Sequence, residues 1–437
     1  MAIDFTLTPE QQAIQRTARE FANDMLKPIV QKADAETDPQ KAFEMTKPAY
    51  VEGYKLGFAM GFLPEKYGGA GIKHVDMMLA GEEISAVDPA FGGTLLVNGL
   101  SLNPLLWFGN EDQKDKWLNE ATSDPTGEYI TGYTLSEPGG TANFDHPSKA
   151  PAGLGLIAEH DKGRGEYVLN GAKYWPTNSG GWDLKGANLN VVAIRTDPDK
   201  GGREGLSYIL IPRGTKGITY KQPIDKMAHR LDQNNWIEYE NCRVPEENAF
   251  AVGDGDLVIA KAFTWTGPAV GIAAVGNARA AYEWTLEWAR TYTGAGSVPI
   301  IEHQAVGHAL ADVAMKIEAA RYLCWKTAHY LDMHDCEGQA FGAMAKVFPG
   351  ELLKDAVYSC MQIIGVNSLL KEYPIEKFMR EALVFPIYDG GNMGMQRRKI
   401  WGVMADPDFN PRAFAENQPV PYKKSMTGYG VQPGKRE

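Results

Sequence analysis

The sequence predicts an α+β protein built as three successive blocks: helical, then β-rich, then helical again. Two observations carry this. The apolar spacing changes from threes and fours near the N-terminus to short β-branched runs bounded by Gly and Pro, then back to threes and fours. Alternating strand–helix–strand units are also missing, which argues against a doubly wound nucleotide-binding sheet. We place the blocks at residues 1–128, 129–248 and 249–415, with an extended tail over 416–437. A chain of 437 residues can bury a sizeable core in such an arrangement without disulfides.

Taken in order, Thr8-Pro9-Glu10-Gln11 reads as a helix start, with an N-cap threonine, proline at the first helical position and a glutamine placed to return the cap. Ile14, Ala18, Phe21 and Met25 then form one face of that helix. The uncharged stretch from Pro89 to Asn110 is long enough for a membrane span. Asn98, Ser101, Asn103, Pro104 and its glycines favour a buried helix of a globular protein instead. Glu111-Asp-Gln-Lys-Asp-Lys-Trp-Leu118 opens a further helix with acids in its first turn, where the helix dipole favours them. In the second block, Glu166-Tyr-Val-Leu-Asn-Gly-Ala-Lys-Tyr-Trp175 predicts a hairpin turning at Asn170-Gly171, followed by short strands over 191–195 and 206–211. In the third block, residues 268–290 carry an Ala-rich helical face. The long segment 303–333 repeats Val306, Leu310, Val313, Ile317 and Ala320 at helical spacing.

Lys and Arg number 44 against 55 Asp and Glu, a net charge of −11. That is a poor footprint for nucleic acid, and neither a nucleic-acid nor a membrane partner is expected. The four cysteines, Cys242, Cys324, Cys336 and Cys360, form no CxxC pair and fit reduced thiols in a cytoplasmic protein. No secretory leader or peroxisomal ending is visible. Gly153-Leu-Gly155-Leu-Ile-Ala158 spells a dinucleotide fingerprint but leads into a strand, where the fingerprint needs a helix N-terminus. His329, His334 and Cys336 do not share a helical face, so no metal is expected there.

Two regions resist a purely structural explanation. Thr134-Leu-Ser-Glu-Pro-Gly-Gly-Thr-Ala-Asn143 and Lys173-Tyr-Trp-Pro-Thr-Asn-Ser-Gly-Gly181 each set small residues, glycines and hydroxyls just outside a strand. They offer polar groups to a flat ligand, with Trp175 as a stacking face; the alternative is a pair of β-turns. Phe385-Pro-Ile-Tyr-Asp389-Gly-Gly-Asn-Met-Gly394 sets one carboxylate among Phe385, Ile387, Tyr388 and Met393. Apolar surroundings disfavour the charged form, which raises the pKa and suits Asp389 to general-base work nearer neutral pH. The alternative is an Asx-turn.

Together with Gly68-Gly-Ala-Gly71 after Pro64-Glu65, Arg243-Val-Pro-Glu-Glu-Asn248, Gln304 at the head of a long helix and Tyr373-Pro374 before Arg380, these motifs resemble the acyl-CoA dehydrogenase superfamily to about residue 410. The resemblance implies an N-terminal helical domain, a β-barrel-like middle domain, a C-terminal four-helix bundle and bound FAD. It implies that Leu135 and Ser136 meet the flavin pyrimidine edge, that Trp175 covers the isoalloxazine and that the Thr177 hydroxyl reaches flavin N5. Gln304 would contact the adenosine part of a neighbouring subunit's FAD. Thr141, Gln362, Gly365, Gly390 and Asn392 complete the implied FAD set, and a homotetramer is the implied assembly. Asp389 falls on the catalytic base, which is usually Glu.

This sequence departs from the family where CoA is held: Ala142 stands in place of a serine and Gly267 in place of an arginine before proline. With Asp as the base, it looks most like the nitroalkane oxidase branch. There an Arg of a Gln-Arg pair partners the base; Gln396-Arg397 matches that pair after one extra residue, which makes Arg397 the implied partner of Asp389. Thr266 would keep a hydroxyl near the base. The implied function is an FAD-dependent oxidoreductase in which Asp389 removes an acidic α C–H proton from a small non-CoA substrate and electrons pass to flavin N5. Oxygen or an electron-transfer flavoprotein would then take the electrons. The alternatives are an acyl-thioester α,β-dehydrogenase and a flavin-free scaffold.

Overall fold

The structure, a computed structural model, describes residues 5–422. The capping box at Thr8 forms: Thr8 Oγ1 accepts from Gln11 N–H, and Gln11 Oε1 accepts from Thr8 N–H. It starts α1 (Pro9–Phe21), which widens into a π turn over Ala22–Leu26 and continues as α2 (Lys27–Ala35). A π turn takes up one extra residue. The buried face therefore moves on by one, so Leu26 is buried while Met25, expected inside, is exposed. Helices α3 (Pro39–Glu44), α4 (Lys47–Lys55), α5 (His74–Val87), α6 (Pro89–Phe108) and α7 (Glu111–Thr122) complete the first block. The uncharged stretch is α6, capped by Asp88 on the Phe91 N–H. Its Asn98 accepts from Thr131 and donates to the Tyr50 hydroxyl, so this buried polar residue of α6 binds protein partners.

The middle block is one eight-stranded sheet: β1 (Thr131–Thr134), β2 (Ile157–Asp161), β3 (Glu166–Thr177), β4 (Leu189–Arg195), β5 (Leu206–Pro212), β6 (Ile218–Tyr220), β7 (Asn234–Pro245) and β8 (Ala249–Phe250). The order is β6-β7-β3-β2-β4-β5-β8, with β1 parallel beside β4 and one helical turn, α8 (Gly202–Gly205), between β4 and β5. The expected hairpin at Asn170-Gly171 is corrected. These residues lie inside the continuous strand β3, at a register shift against β7, with Asn170 Oδ1 accepting from Asn241 N–H. The turn lies earlier, over residues 162–165, where Arg164 N–H donates to Asp161. An Asn-Gly pair suits a bulge as well as a turn, because both need an unusual backbone angle, here φ +141 at Gly171.

The third block holds α9 (Gly255–Thr291), α10 (Gln304–Met333), α11 (Gln339–Ile364), α12 (Ile375–Val384) and α13 (Arg397–Met404). Helix α9 starts well before the expected Pro268, which lies buried within it. Helices α9 and α11 touch backbone to backbone: a Cβ on Gly267 would lie 2.1 Å from the Gly342 carbonyl oxygen. The start of the expected tail packs on α10, where Tyr330 donates to the Gln418 carbonyl at 2.6 Å and His334 Nε2 lies 3.0 Å from that of Asn417. Residues 423–437 of that tail lie outside the described residues.

One buried charge cluster joins all three blocks. Lys377 on α12 reaches Asp88 at 2.7 Å and Glu381 at 2.9 Å, and Glu381 also accepts from the N–H and Nδ1 of His229. Burial alone would raise the Glu381 pKa, but Lys377 and His229 hold it well below the usual carboxylate range. Lys377→Met would leave the buried Asp88 without its cation and Glu381 with His229 alone. It should lower stability by about 3–5 kcal/mol, read as a shifted urea midpoint. An unchanged midpoint would show that the cluster does not hold the blocks together.

Candidate active site

A cavity of about 1250 Å³ opens where the loop after β1, the end of β3, α9 and the segment after α12 converge. The first wall is the loop over 135–142. The buried Lys173 fixes it by donating to Glu137 at 2.9 Å and to the Leu135 carbonyl at 3.0 Å. Burial pushes the Lys173 pKa down and Glu137 pulls it back. Glu137 also accepts from the backbone N–H groups of Gly155 and Leu156, so this part of the segment that mimics a dinucleotide fingerprint binds a carboxylate of the protein itself. Leu135, Ser136 and Thr141 line the cavity, and Thr141 Oγ1 accepts from Glu137 N–H, which leaves its own O–H to donate.

The second wall is Trp175 to Thr177. Here β3 slips register against β7, and Trp175 takes φ +75. A left-handed tryptophan is strained; Trp175 lines the cavity and is 47% exposed. Asn234 supports both residues: its Nδ2 donates to the Trp175 carbonyl at 2.8 Å and to Thr177 Oγ1 at 2.9 Å. The Lys226 ammonium meets Asn234 Oδ1 and so fixes which way the amide faces. Because the Thr177 oxygen accepts, its proton remains available to a ligand. Nothing in the sequence reading marked Asn234.

Asp389 forms the third wall. It has φ +51, and the following Gly390 and Gly391 are also left-handed, at +83 and +59. Its carboxylate oxygens lie 2.9 and 3.1 Å from the hydroxyl of the buried Thr266 on α9. Gln396 Nε2 donates to its backbone carbonyl at 2.7 Å. Burial raises the Asp389 pKa, and Lys346, the Thr266 hydrogen bond and Lys399 oppose that rise without cancelling it.

The structure thus brings Leu135, Ser136, Thr141, Trp175, Thr177, Thr266, Asp389 and Gly390 to one cavity. It does not bring the others. Arg397 lies on Glu351 at 3.3 Å, half-exposed, so its expected pairing with Asp389 is corrected. The reason is a π turn over Gly391–Gln396, which takes up the extra residue and carries Arg397 past the base. Asn392 is fully buried and faces α11, accepting from Lys346 and donating to Glu351, so its expected cofactor contact is also corrected. Gln304, Gln362 and Gly365 are exposed at the ends of α10 and α11, outside the cavity. Sequence reasoning also missed Lys346, although it is the sole charge in the run from Gln339 to Pro349.

The donor set fits FAD: an exposed indole face for a ring system, the Thr177 and Thr141 hydroxyls free to donate, and Ser136 beside them.

Comparison with known proteins agrees. Residues 8–124 match the family "Acyl-CoA dehydrogenase, N-terminal domain", and residues 253–404 match "Acyl-CoA dehydrogenase, C-terminal domain". The chain is similar to nitroalkane oxidase of Fusarium oxysporum, 30% identical over 430 residues that cover 94% of this chain and 97% of the relative. It is 32% identical to an acyl-CoA dehydrogenase of Bacillus subtilis over 396 residues, 88% of this chain and 96% of that one. A solved nitroalkane oxidase active-site mutant crystallised with 1-nitrooctane superposes with a TM-score of 0.89 at 29% identity, covering 95% of this chain and 100% of that one.

Removing the hydroxyl that donates to Asp389 should raise its pKa further, because the lost bond favoured the ionised form. A hydrogen bond to a charged group contributes about 1.5–3 kcal/mol, so Thr266→Ala should shift the carboxyl titration up by about 1–2 pH units. Infrared titration of the carboxyl band, assigned by its loss in Asp389→Asn, measures this. A downward shift would contradict the geometry.

Proposed function

The chain belongs to the acyl-CoA dehydrogenase family and is an FAD-dependent oxidoreductase; from that premise we propose that Asp389 is its general base, acting on a small nitroalkane-like substrate without a CoA handle. The carrying observation is a partly buried carboxylate of raised pKa in the cavity that also holds Trp175 and Thr177. Asp389 takes the proton α to an electron-withdrawing group; its desolvation makes it a stronger acceptor than a free carboxylate. Thr266 steadies the carboxylate in its charged form. FAD, when bound, supplies the sink for the electron pair left on the substrate carbon. Trp175 offers its ring face to that cofactor, and Thr177 a hydrogen-bond donor. Ser136 and Thr141 offer hydroxyls on the same wall.

Two positions support a substrate without CoA. Ala142 on the cavity wall has no hydroxyl to offer a thioester. Gly267 has no room for a long side chain, since even a Cβ would meet the Gly342 carbonyl oxygen at 2.1 Å. Oxygen is the proposed electron acceptor, and an electron-transfer flavoprotein is the competing one. Gln304 lies exposed at the head of α10, and Gln362 and Gly365 lie exposed beside the exposed apolar Val366 and Leu369, which supports an assembly, proposed as a homotetramer, in which they meet a neighbour's cofactor.

Anaerobic mixing should bleach the flavin with nitroethane and not with a short acyl-CoA; the reverse result would favour the thioester dehydrogenase reading. Asp389→Asn should keep the flavin absorbance and slow bleaching by about 10²–10⁴-fold. A fully active Asp389→Asn enzyme would remove Asp389 as the base.

A further inference from the structure

Lys346 lies on α11 with its side chain fully buried. A buried ammonium is unfavourable unless acceptors take its protons. Two of its acceptors come from the bend that carries Asp389: Nζ donates to the Tyr388 carbonyl at 2.7 Å and to Asn392 Oδ1 at 2.8 Å. These acceptors flank the left-handed run Asp389-Gly390-Gly391, so the lysine bridges both ends of the bend. Asn392 is fixed in turn by Glu351 Oε1 at 3.1 Å, and Glu351 takes Arg397 at 3.3 Å. Arg397 therefore connects to the bend through Glu351 and Asn392.

We propose that Lys346 is a positioning residue for proton abstraction. It clamps the bend so that Asp389 holds its carboxylate on Thr266, and it supplies the buried positive charge that Arg397 does not bring. This rests on the reading of Asp389 as the base. The groups that face Asp389 from the elements around it are Lys346 on α11, Lys399 on α13, Thr266 on α9, Tyr133 on β1 and Tyr388 in the bend. Lys399 is also buried; its Nζ has no hydrogen-bond partner among the described residues and sits 4.9 Å from the Phe263 ring centre. Burial pushes Lys399 down to about 7 and Lys346 down to about 8, with Asp389 opposing both shifts. Of the two, Lys346 is the one hydrogen-bonded to the bend.

The test uses the FAD-loaded enzyme and two readouts: infrared titration of the Asp389 carboxyl, and the pH dependence of flavin bleaching by nitroethane. Lys346→Gln keeps a donor and removes the charge, so the Asp389 pKa should rise by about 1–3 units. Lys346→Arg should return most of that shift, and Arg397→Gln should move it less than Lys346→Gln does. An unshifted titration in Lys346→Gln, or an equal shift in Arg397→Gln, would overturn the proposal. Asn392→Ala tests the clamp separately by removing one anchor. With FAD absorbance retained, it should slow bleaching about tenfold or more at pH values where Asp389 is ionised. An unchanged rate there would overturn the clamp even if Lys346→Gln failed to fold. Loss of activity in Asp389→Asn with no titration shift in Lys346→Gln would retain the base and discard Lys346.

Discussion

The arrangement depends on the buried charges that join the three blocks. Asp88 caps α6, His229 precedes β7, and Lys377 and Glu381 lie one turn apart on α12. Charges removed from water are tolerated when every partner is in place. The cluster is therefore complete only when helical, β and helical blocks have docked in one arrangement. It also borders the base: the His229 ring lies 5.2 Å from that of Tyr388 and 6.0 Å from that of Phe385. A cavity built from loops of three blocks needs such a register device, because no single block contains enough of the site to define it.

The contact between α9 and α11 sets the second register. Gly267 has Gly342 against its backbone, and Gly271 has Ala345 against its own. Thr266 adjoins the first of these glycines. Lys346 lies four residues beyond Gly342, on the same face of α11. Close approach of the two backbones thus carries a hydroxyl and an ammonium to the same bend. The absence of side chains at Gly267 and Gly342 is a requirement of the site geometry, and it also keeps an arginine out of position 267.

Most of the architecture was legible in the sequence because it rests on local rules. The capping box at Thr8, the buried polar-spiked α6, the strands β4 and β5 and the face of α10 all follow from spacing and terminal residues. What escaped was of two kinds. The π turns at Ala22–Leu26 and Gly391–Gln396 shift the chain by one residue with no mark in composition; they put Met25 in solvent and Arg397 on Glu351. The others were long-range partners. Asn234 supports Thr177 from 57 positions away, and Lys346 supports the bend from 42 to 46 positions away. Lys346 had a signal, as the lone charge in the apolar first half of α11, from Gln339 to Pro349. Asn234 had none, since an Asn at a strand start is ordinary.

Two of the strained residues that line the cavity, Trp175 and Asp389, are held by the same device. Trp175 and Asp389 are both left-handed without being glycine, a conformation that costs about 1–3 kcal/mol at each position. In each case a side-chain amide from elsewhere captures the carbonyl of the strained residue: Asn234 takes that of Trp175, and Gln396 that of Asp389. One hydrogen bond contributes only about 1 kcal/mol net, so neither amide offsets the strain alone. Further bonds are needed, and they are present: Asn234 also donates to Thr177, while Thr266 and Lys346 bind the carboxylate and the bend. The side chains that meet the ligand are therefore aimed by their surroundings against their own backbone preference. That is why supporting residues such as Lys346 and Asn234 belong to the function as much as the groups that touch substrate.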